Sequence, residues 1–228
     1  MIYEAHATGV FGEHRRGLAE AAGVEDHVDV TLGTLSKALG CAGGYVAGSQ
    51  TLIDFLRNRA RSLIYSTALP PSIVAAAAAA VDLVAGAEGR QRCARLWRNV
   101  AAFGAASPII PVVIGDEAAA MKKSQELYKA GIFVPAIRYP TVPKGKARLR
   151  VTVTAAHEPA DVTRFLEVCE QVWKAGCGED DDPITPQTLK QPVGAASSPR
   201  SIHSAALRRG RVSIPEECYF VTTCVRGR

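Results

Sequence analysis

The residue pattern predicts an α/β protein in two parts, followed by a polar tail, and three observations carry that prediction. Short apolar runs of strand length are interleaved with longer segments whose apolar residues recur at three- and four-residue steps, the pattern of sheets layered against helices. The composition breaks at Gly86-Ala-Glu-Gly89, which separates residues 1–88 from residues 89–176. After residue 176 the periodicity stops: an acidic run at 179–182 is followed by a Pro- and Ser-containing stretch and a basic segment, so 177–228 reads as a disordered tail.

The elements follow in order. Ile2 and Tyr3 read as a strand at the very start of the chain, which suggests that sequence is missing before it. Residues 13–23 are charged and Gly-bounded, an exposed short helix or loop. Val28, Val30 and Leu32 alternate as a buried strand does, the run breaks at Gly33, and residues 45–47 form a second strand. Residues 49–62 are helical in period, with Leu52, Ile53, Leu56 and Ala60 on one face and Arg57, Arg59 and Arg61 outward. Residues 63–65 read as a strand. Pro70-Pro71 then opens a helix through the alanine run to Leu83, because Pro suits a first turn and Ala is the best helix former. A helix over 90–103 follows, then strand 109–114, helix 116–130 stopped by Gly131, strands 132–137 and 147–154, and helix 159–175. In that last helix Val162, Phe165, Leu166, Cys169, Val172 and Trp173 form one stripe, which is expected to cover the preceding sheet.

Composition narrows the function classes. With 47% hydrophobic residues the chain can bury a core. Its net charge of +5 is spread along the chain without aromatic interleaving, which argues against a nucleic-acid binder. Six cysteines, at 41, 93, 169, 177, 218 and 224, show neither a Cys-x-x-Cys pair nor a His at zinc spacing, so no metal site is expected and free thiols in a reducing compartment are. No leader-like stretch opens the chain and no apolar run reaches about 18 residues. The expectation is a soluble cytoplasmic protein without a membrane span.

The turn between the first two strands carries the chemistry. Lys37 is surrounded by Gly33, Ser36, Ala38, Gly40, Ala42, Gly43 and Gly44, small residues that leave room for a flat, bulky group and let backbone N–H groups approach it. A lysine in a partly desolvated pocket loses its charge more readily and can condense with an aldehyde. A second candidate lies in Arg148-Leu-Arg-Val-Thr-Val-Thr154: Leu149, Val151 and Val153 share one strand face, which places Arg150 on the other, where its guanidinium can meet a carboxylate or simply face solvent. Ser66 and Thr67, before the proline-led helix, read from the residues alone as helix caps.

Four motifs in this order carry a resemblance: Glu4-Ala-His-Ala-Thr-Gly-Val-Phe-Gly12, Thr34-Leu-Ser-Lys-Ala38, Tyr65-Ser-Thr-Ala-Leu-Pro-Pro71 and Ala136-Ile-Arg-Tyr-Pro-Thr-Val-Pro143. Together they resemble the α-oxoamine synthases, pyridoxal-phosphate enzymes that condense an amino acid with an acyl-CoA. The resemblance covers about residues 1–176 and corresponds to the second half of such an enzyme. It implies the type I, aspartate aminotransferase-like fold, with 1–88 as an incomplete cofactor-binding large domain and 89–176 as the small C-terminal domain. It also implies that Lys37 carries the pyridoxal phosphate and acts as base, that His6 bonds its phenolic oxygen, and that Thr34 helps to seat it. Thr67 would reach the phosphate held by the partner subunit of a homodimer, and Arg150 would hold the amino-acid carboxylate. Arg138, just before the Pro-Thr-Val-Pro turn, would either meet a carboxylate at the far end of the acyl donor or pair structurally on the turn, and Thr141 within the turn would serve the acyl substrate. An Arg at that turn resembles the branch of the family that joins alanine to a pimeloyl thioester in biotin biosynthesis. Tyr139 and Lys144 also fit the branch that joins glycine to acetyl-CoA, and a catalytically inactive paralogue that associates with a complete subunit is a third reading. The family's aspartate, which keeps the pyridine nitrogen protonated, is replaced by Tyr3, and a neutral phenol supplies no counter-charge. No stretch matches the family's Gly-containing phosphate turn or the side chain that stacks on the ring, so residues 1–228 alone are expected to be a poor catalyst.

Overall fold

The computed structural model describes residues 1–174. The expected tail, 177–228, lies outside them. Two compact units divide the described residues between Cys93 and Ala94.

The first unit is built on a three-stranded sheet of β1 (Ile2–Tyr3), β2 (Val30–Thr34) and β3 (Gly44–Gly48). β1 runs parallel to β2, and β3 returns antiparallel to it. β2 continues through Gly33 instead of breaking there, and the reason is steric. Gly33 pairs with Tyr45 on β3, and a Cβ at 33 would stand 2.2 Å from the Tyr45 ring. The glycine is the seat of that ring. Val28 lies before β2, after a 3-10 turn (Glu25–His27), so only part of the alternation seen in the sequence belongs to the strand.

Between β1 and β2 the segment expected to be exposed is held from inside. Only Leu18–Ala21 (α1) is helical. The buried carboxylate of Glu4 accepts from the N–H groups of Leu18 (3.0 Å) and Ala19 (2.8 Å), satisfying donors that a helix start leaves open. Arg15, buried and at φ 64°, sends its guanidinium to the carbonyls of Val84 (2.7 Å) and Ala85 (2.9 Å). Those are the last carbonyls of helix α4 (Pro71–Ala85), where a cation opposes the helix dipole. Glu20 accepts from the N–H groups of His14 (2.8 Å) and Arg16 (2.9 Å) and pairs with His14 Nδ1 at 2.6 Å. Burial pushes its carboxyl up, but the backbone bonds from Arg16 and His14, the His14 ring and the Arg16 charge outweigh this and bring it from 4.5 down to about 2. A carboxyl depressed on folding stabilises the fold fully above its unfolded value and loses that contribution as pH falls from about 4.5 towards 2. Glu20→Gln is therefore expected to flatten the decline of thermal midpoint with acid across that window, as followed by circular dichroism.

Ser49 caps α2 (Gln50–Arg59), its hydroxyl accepting from Leu52 N–H at 3.3 Å. The next apolar run is helical, not a strand: α3 (Arg61–Ile64) follows a single extended residue, Ala60. Three apolar residues carry no period, and here they close a turn through Leu63 N–H to Ala60 O at 3.0 Å. α4 begins at Pro71 as expected, and its N-cap is Pro70 with no side-chain cap; Ser66 and Thr67 do not cap it. The chain turns at Gly86 and enters α5 (Ala87–Ala102) at once, so Gly89 is helical. A Cβ at 89 would stand 2.2 Å from Val84 O, and glycine permits that tight succession of helices.

The second unit has the sheet order β4 (Ile109–Gly115), β6 (Ala147–Thr152), β5 (Ala136–Ile137), antiparallel throughout. β5 is shorter than the sequence suggests because Pro135 has no N–H to give the ladder; its carbonyl accepts from Arg150 N–H at 3.0 Å. α6 (Glu117–Lys129), capped by Asp116, lies across all three strands, and α7 (Pro159–Lys174) packs beside α6. Lys123 joins the two helices through Val172 O at 2.8 Å. Phe103 and Phe165 meet edge to face, 5.5 Å apart. Asn99, buried in α5, donates to Thr154 O (3.0 Å) and His157 O (2.8 Å) and pins the loop after β6. Cys41, Cys93 and Cys169 take part in no disulfide among the described residues; burial pushes Cys169 up to about 12, so it stays unreactive. Among the described residues no single helix is long and apolar enough to cross a membrane.

Candidate active site

Lys37 stands on the loop between β2 and β3, and the loop is held by its own hydrogen bonds. Leu35 N–H donates to Gly43 O (2.9 Å), Cys41 N–H to Leu35 O (2.7 Å) and Gly40 N–H to Lys37 O (3.1 Å). Leu35 and Leu39 are 3% and 6% exposed and pack into a cluster with Ala77 of α4, edged by Leu69, Val81 and Val84. Two leucines therefore point inward on either side of Ser36, Lys37 and Ala38, all three of which are exposed. Among the described residues the small side chains leave Lys37 exposed rather than enclosed. The space under the loop is filled by leucine, and Lys37 is presented on its outer side. Among the described residues no hydrogen bond or ion pair engages its Nζ.

Thr34 works on the loop itself. Its hydroxyl donates to Gly43 O (3.2 Å), accepts from Ser36 N–H (3.2 Å) and meets Ser36 Oγ at 2.8 Å. A hydroxyl has one proton and two lone pairs, so these three bonds use its capacity.

The segment after β1 packs against this loop. Ala7 N–H, Thr8 N–H and the Thr8 hydroxyl all bond Glu4 O, at 2.9, 3.0 and 3.1 Å. That turn buries Ala5 and Ala7 and leaves His6 between them exposed. Gly9, at φ 83°, lies so close that a Cβ would stand 2.7 Å from the Ala38 Cβ. Thr8 Oγ1 lies 2.7 Å from the Tyr45 hydroxyl. Burial pushes the Tyr45 phenol up, so it remains a neutral partner. On the other side Leu69 packs over Gly43, whose Cβ would meet it at 3.0 Å, and this brings the segment of Thr67 beside the same loop. Thr67 is exposed, and its hydroxyl has no partner among the described residues. Tyr3 is 67% exposed. By register it shares a sheet face with Leu32 and Thr34, opposite to the face of Gly33 and Tyr45.

Three segments expected to act together, around His6, Lys37 and Thr67, thus converge in the first unit. Thr8, Leu35, Leu39 and Tyr45 do the converging and were not foreseen. Their one trace in the sequence is a glycine in a strand opposite an aromatic residue.

The remaining candidates lie in the second unit. Leu149 and Val151 are buried on the helix-covered side of β6, which puts Arg148 and Arg150 on the other side, as the alternation predicts. Arg150 Nε is shielded from solvent and has no partner. Arg138 follows β5 in an exposed turn, where the N–H groups of Thr141 (3.0 Å) and Val142 (3.3 Å) bond its carbonyl; Thr141 is exposed too. Lys144 Nζ lies over the Tyr139 ring at 5.3 Å. No group of three or more metal-ligating side chains occurs among the described residues.

Residues 1–168 match the profile of aminotransferase class I and II. The chain belongs to the aminotransferase class I and II family. Among curated proteins of that kind, the 8-amino-7-oxononanoate synthase of Anaeromyxobacter dehalogenans is 50% identical over 184 residues, which cover 75% of this chain and 46% of the relative. A serine palmitoyltransferase solved with pyridoxal phosphate is 32% identical, with TM-score 0.72, over 76% of this chain and 46% of that one. An 8-amino-7-oxononanoate synthase from Francisella tularensis is 26% identical, with TM-score 0.63, over 73% of this chain and 52% of its own. The α/β architecture is thus part of the family's fold, and the chain spans about half the length of the curated relatives it matches.

Proposed function

We propose that this chain carries the reactive lysine of a pyridoxal-phosphate-dependent acyltransferase. The reaction joins an amino acid, alanine, to an acyl thioester, pimeloyl-CoA, and releases CoA and carbon dioxide, a step of biotin biosynthesis. The observation that carries the proposal is Lys37: an exposed, unengaged amine on a loop clamped from below by Leu35 and Leu39, beside the segments of His6 and Thr67. The name of the curated relative describes a nine-carbon acid with a ketone at C7 and an amine at C8. Cutting between C7 and C8 gives a seven-carbon diacid unit and an alanine-derived amine, which supports those substrates.

The donor set fits the cofactor, since a primary amine, an imidazole and an uncommitted hydroxyl stand on adjoining segments. When bound, the cofactor supplies an aldehyde and a ring that stabilises negative charge at the amino acid's α-carbon. Lys37 Nζ would hold the cofactor's aldehyde and, as a free amine, would take the α-proton of the amino acid as general base. His6 would hold the cofactor's phenolic oxygen. Thr34 acts through the loop, keeping Lys37 in place. Arg150 takes the amino-acid carboxylate, for which its unpartnered Nε supplies a waiting donor. Arg138 and Thr141 serve the acyl side. Thr67 reaches the phosphate in a second copy of the chain, so the assembly is a homodimer.

Release of CoA is the test, measured with alanine plus pimeloyl-CoA against glycine plus acetyl-CoA. A preference for the second pair would assign the chain to the 2-amino-3-ketobutyrate branch. A visible cofactor band without release from either pair would mark an inactive paralogue.

Tyr3 makes a further prediction. On this reading it occupies the place of the carboxylate that charges the pyridine nitrogen. A charge-assisted hydrogen bond is worth about 1.5–3 kcal/mol, so Tyr3→Asp is expected to raise turnover about ten- to a hundredfold and to tighten pyridoxal-phosphate binding, read by steady-state kinetics and by titration of the visible band.

A further inference from the structure

We infer that Arg148 holds a second carboxylate, that of a dicarboxylic acyl chain, on the open face of the β4–β6–β5 sheet beside Arg150. This rests on the reaction proposed above and names the feature of the acyl donor that the chain selects.

Arg148 and Arg150 alternate with buried Leu149 and Val151, so both side chains stand on the face turned away from the core. The register puts apolar residues around them: Arg148 pairs with Val113 on one side and Ile137 on the other, and Arg150 pairs with Pro111. The Arg148 guanidinium is steadied at its base, Nε donating to Lys146 O at 3.1 Å. Its two terminal nitrogens have no partner among the described residues. Arg150 Nε is shielded and unpartnered as well, and a guanidinium donor left without an acceptor away from water is costly. Arg138, Lys144 and Lys146 add three more cations between residues 138 and 150. None of these five forms an ion pair with a carboxylate among the described residues. A patch of that sign attracts an anion.

The spacing says which anion. Residues two apart on a strand are separated by about 6–7 Å, so the two forks can each take a carboxylate of their own with a short apolar chain between them. Val113 and Ile137 offer that chain an apolar floor. An acyl group ending in a methyl would leave the Arg148 fork unpaired, and a missing polar partner is rejected far more strongly than a missing methylene. Arg138 is a weaker anchor, because it follows the last paired residue of β5 and lies in an exposed turn.

Calorimetry on the full 228-residue chain tests this with three probes: heptanedioate, heptanoate and adenosine 3′,5′-bisphosphate. Heptanedioate is expected to bind about tenfold or more weakly to Arg148→Gln, Arg148→Lys is expected to recover part of the loss, and heptanoate is expected to bind both proteins equally. Arg138→Gln is expected to weaken heptanedioate binding less than Arg148→Gln does. Thermal midpoints of all variants show that the fold is kept. The inference is overturned if heptanedioate does not bind, if Arg148→Gln leaves its binding unchanged, if Arg138→Gln carries the loss instead, or if the bisphosphate takes the site in preference to the diacid. No readout uses the cofactor or turnover, so failure of the proposed reaction would be seen separately, in the CoA assay.

Discussion

Replacing Lys37 by alanine is expected to abolish the visible absorbance that pyridoxal phosphate produces on binding and to lower turnover of the complete enzyme by about 10³-fold or more. Two losses combine. The amine that holds the cofactor is gone, and so is the base that takes the α-proton, a role worth about 10²–10⁴-fold by itself. The change leaves the fold intact, because Lys37 is exposed and the loop is held by Leu35, Leu39 and the bonds to Gly43. An unaltered thermal midpoint with a lost absorbance band is therefore the paired signature. Undiminished CoA release from the Lys37→Ala protein would remove the lysine from the chemistry.

Leu39→Ala is expected to show the opposite pairing. Leu39 is 6% exposed beside Leu35 and Ala77, and truncating a core leucine costs about 2–5 kcal/mol through lost transfer energy and the cavity left behind. The cost falls on one wall of the Lys37 loop. Chemical denaturation should show a lower midpoint with an unchanged slope. Turnover should fall even at temperatures where the protein is folded, because a base displaced by an ångström loses much of its advantage. If the midpoint drops while activity at low temperature stays whole, the leucine clamp supports the fold alone and does not position Lys37.

Much of the chain was legible residue by residue because local rules govern it. Pro71 in a first turn, the alanine run, Asp116 before α6, and the stripe of α7 each depend on neighbours three or four positions away. The alternation along β6 likewise put Arg150 on the face opposite Leu149 before any partner strand was known. Family membership was legible for a different reason: four short motifs recur in order. Where the reading failed, the deciding partner was distant. Residues 63–65 were too few to show a period; Leu63 and Ile64 close α3 and Tyr65 caps it. Gly33, which looks like a strand breaker, lies within β2 because Tyr45, twelve residues on, needs its space.

Lys37 shows the division most clearly. Its residue type and its glycine-rich setting come from the sequence, and so does the chemistry of an amine towards an aldehyde. Whether that amine is enclosed or displayed is a matter of packing. Leu35 and Leu39 find Ala77 some forty residues away on α4, and burying them turns the lysine outward. Arg15 is the same lesson in a charged residue. Nothing near it in sequence marks it as structural, yet the carbonyls of Val84 and Ala85, at the far end of α4, hold it buried at φ 64°. Local propensity chooses helix or strand, but only the folded chain supplies the acceptors and apolar surfaces that decide which side chains are buried and which are left to react.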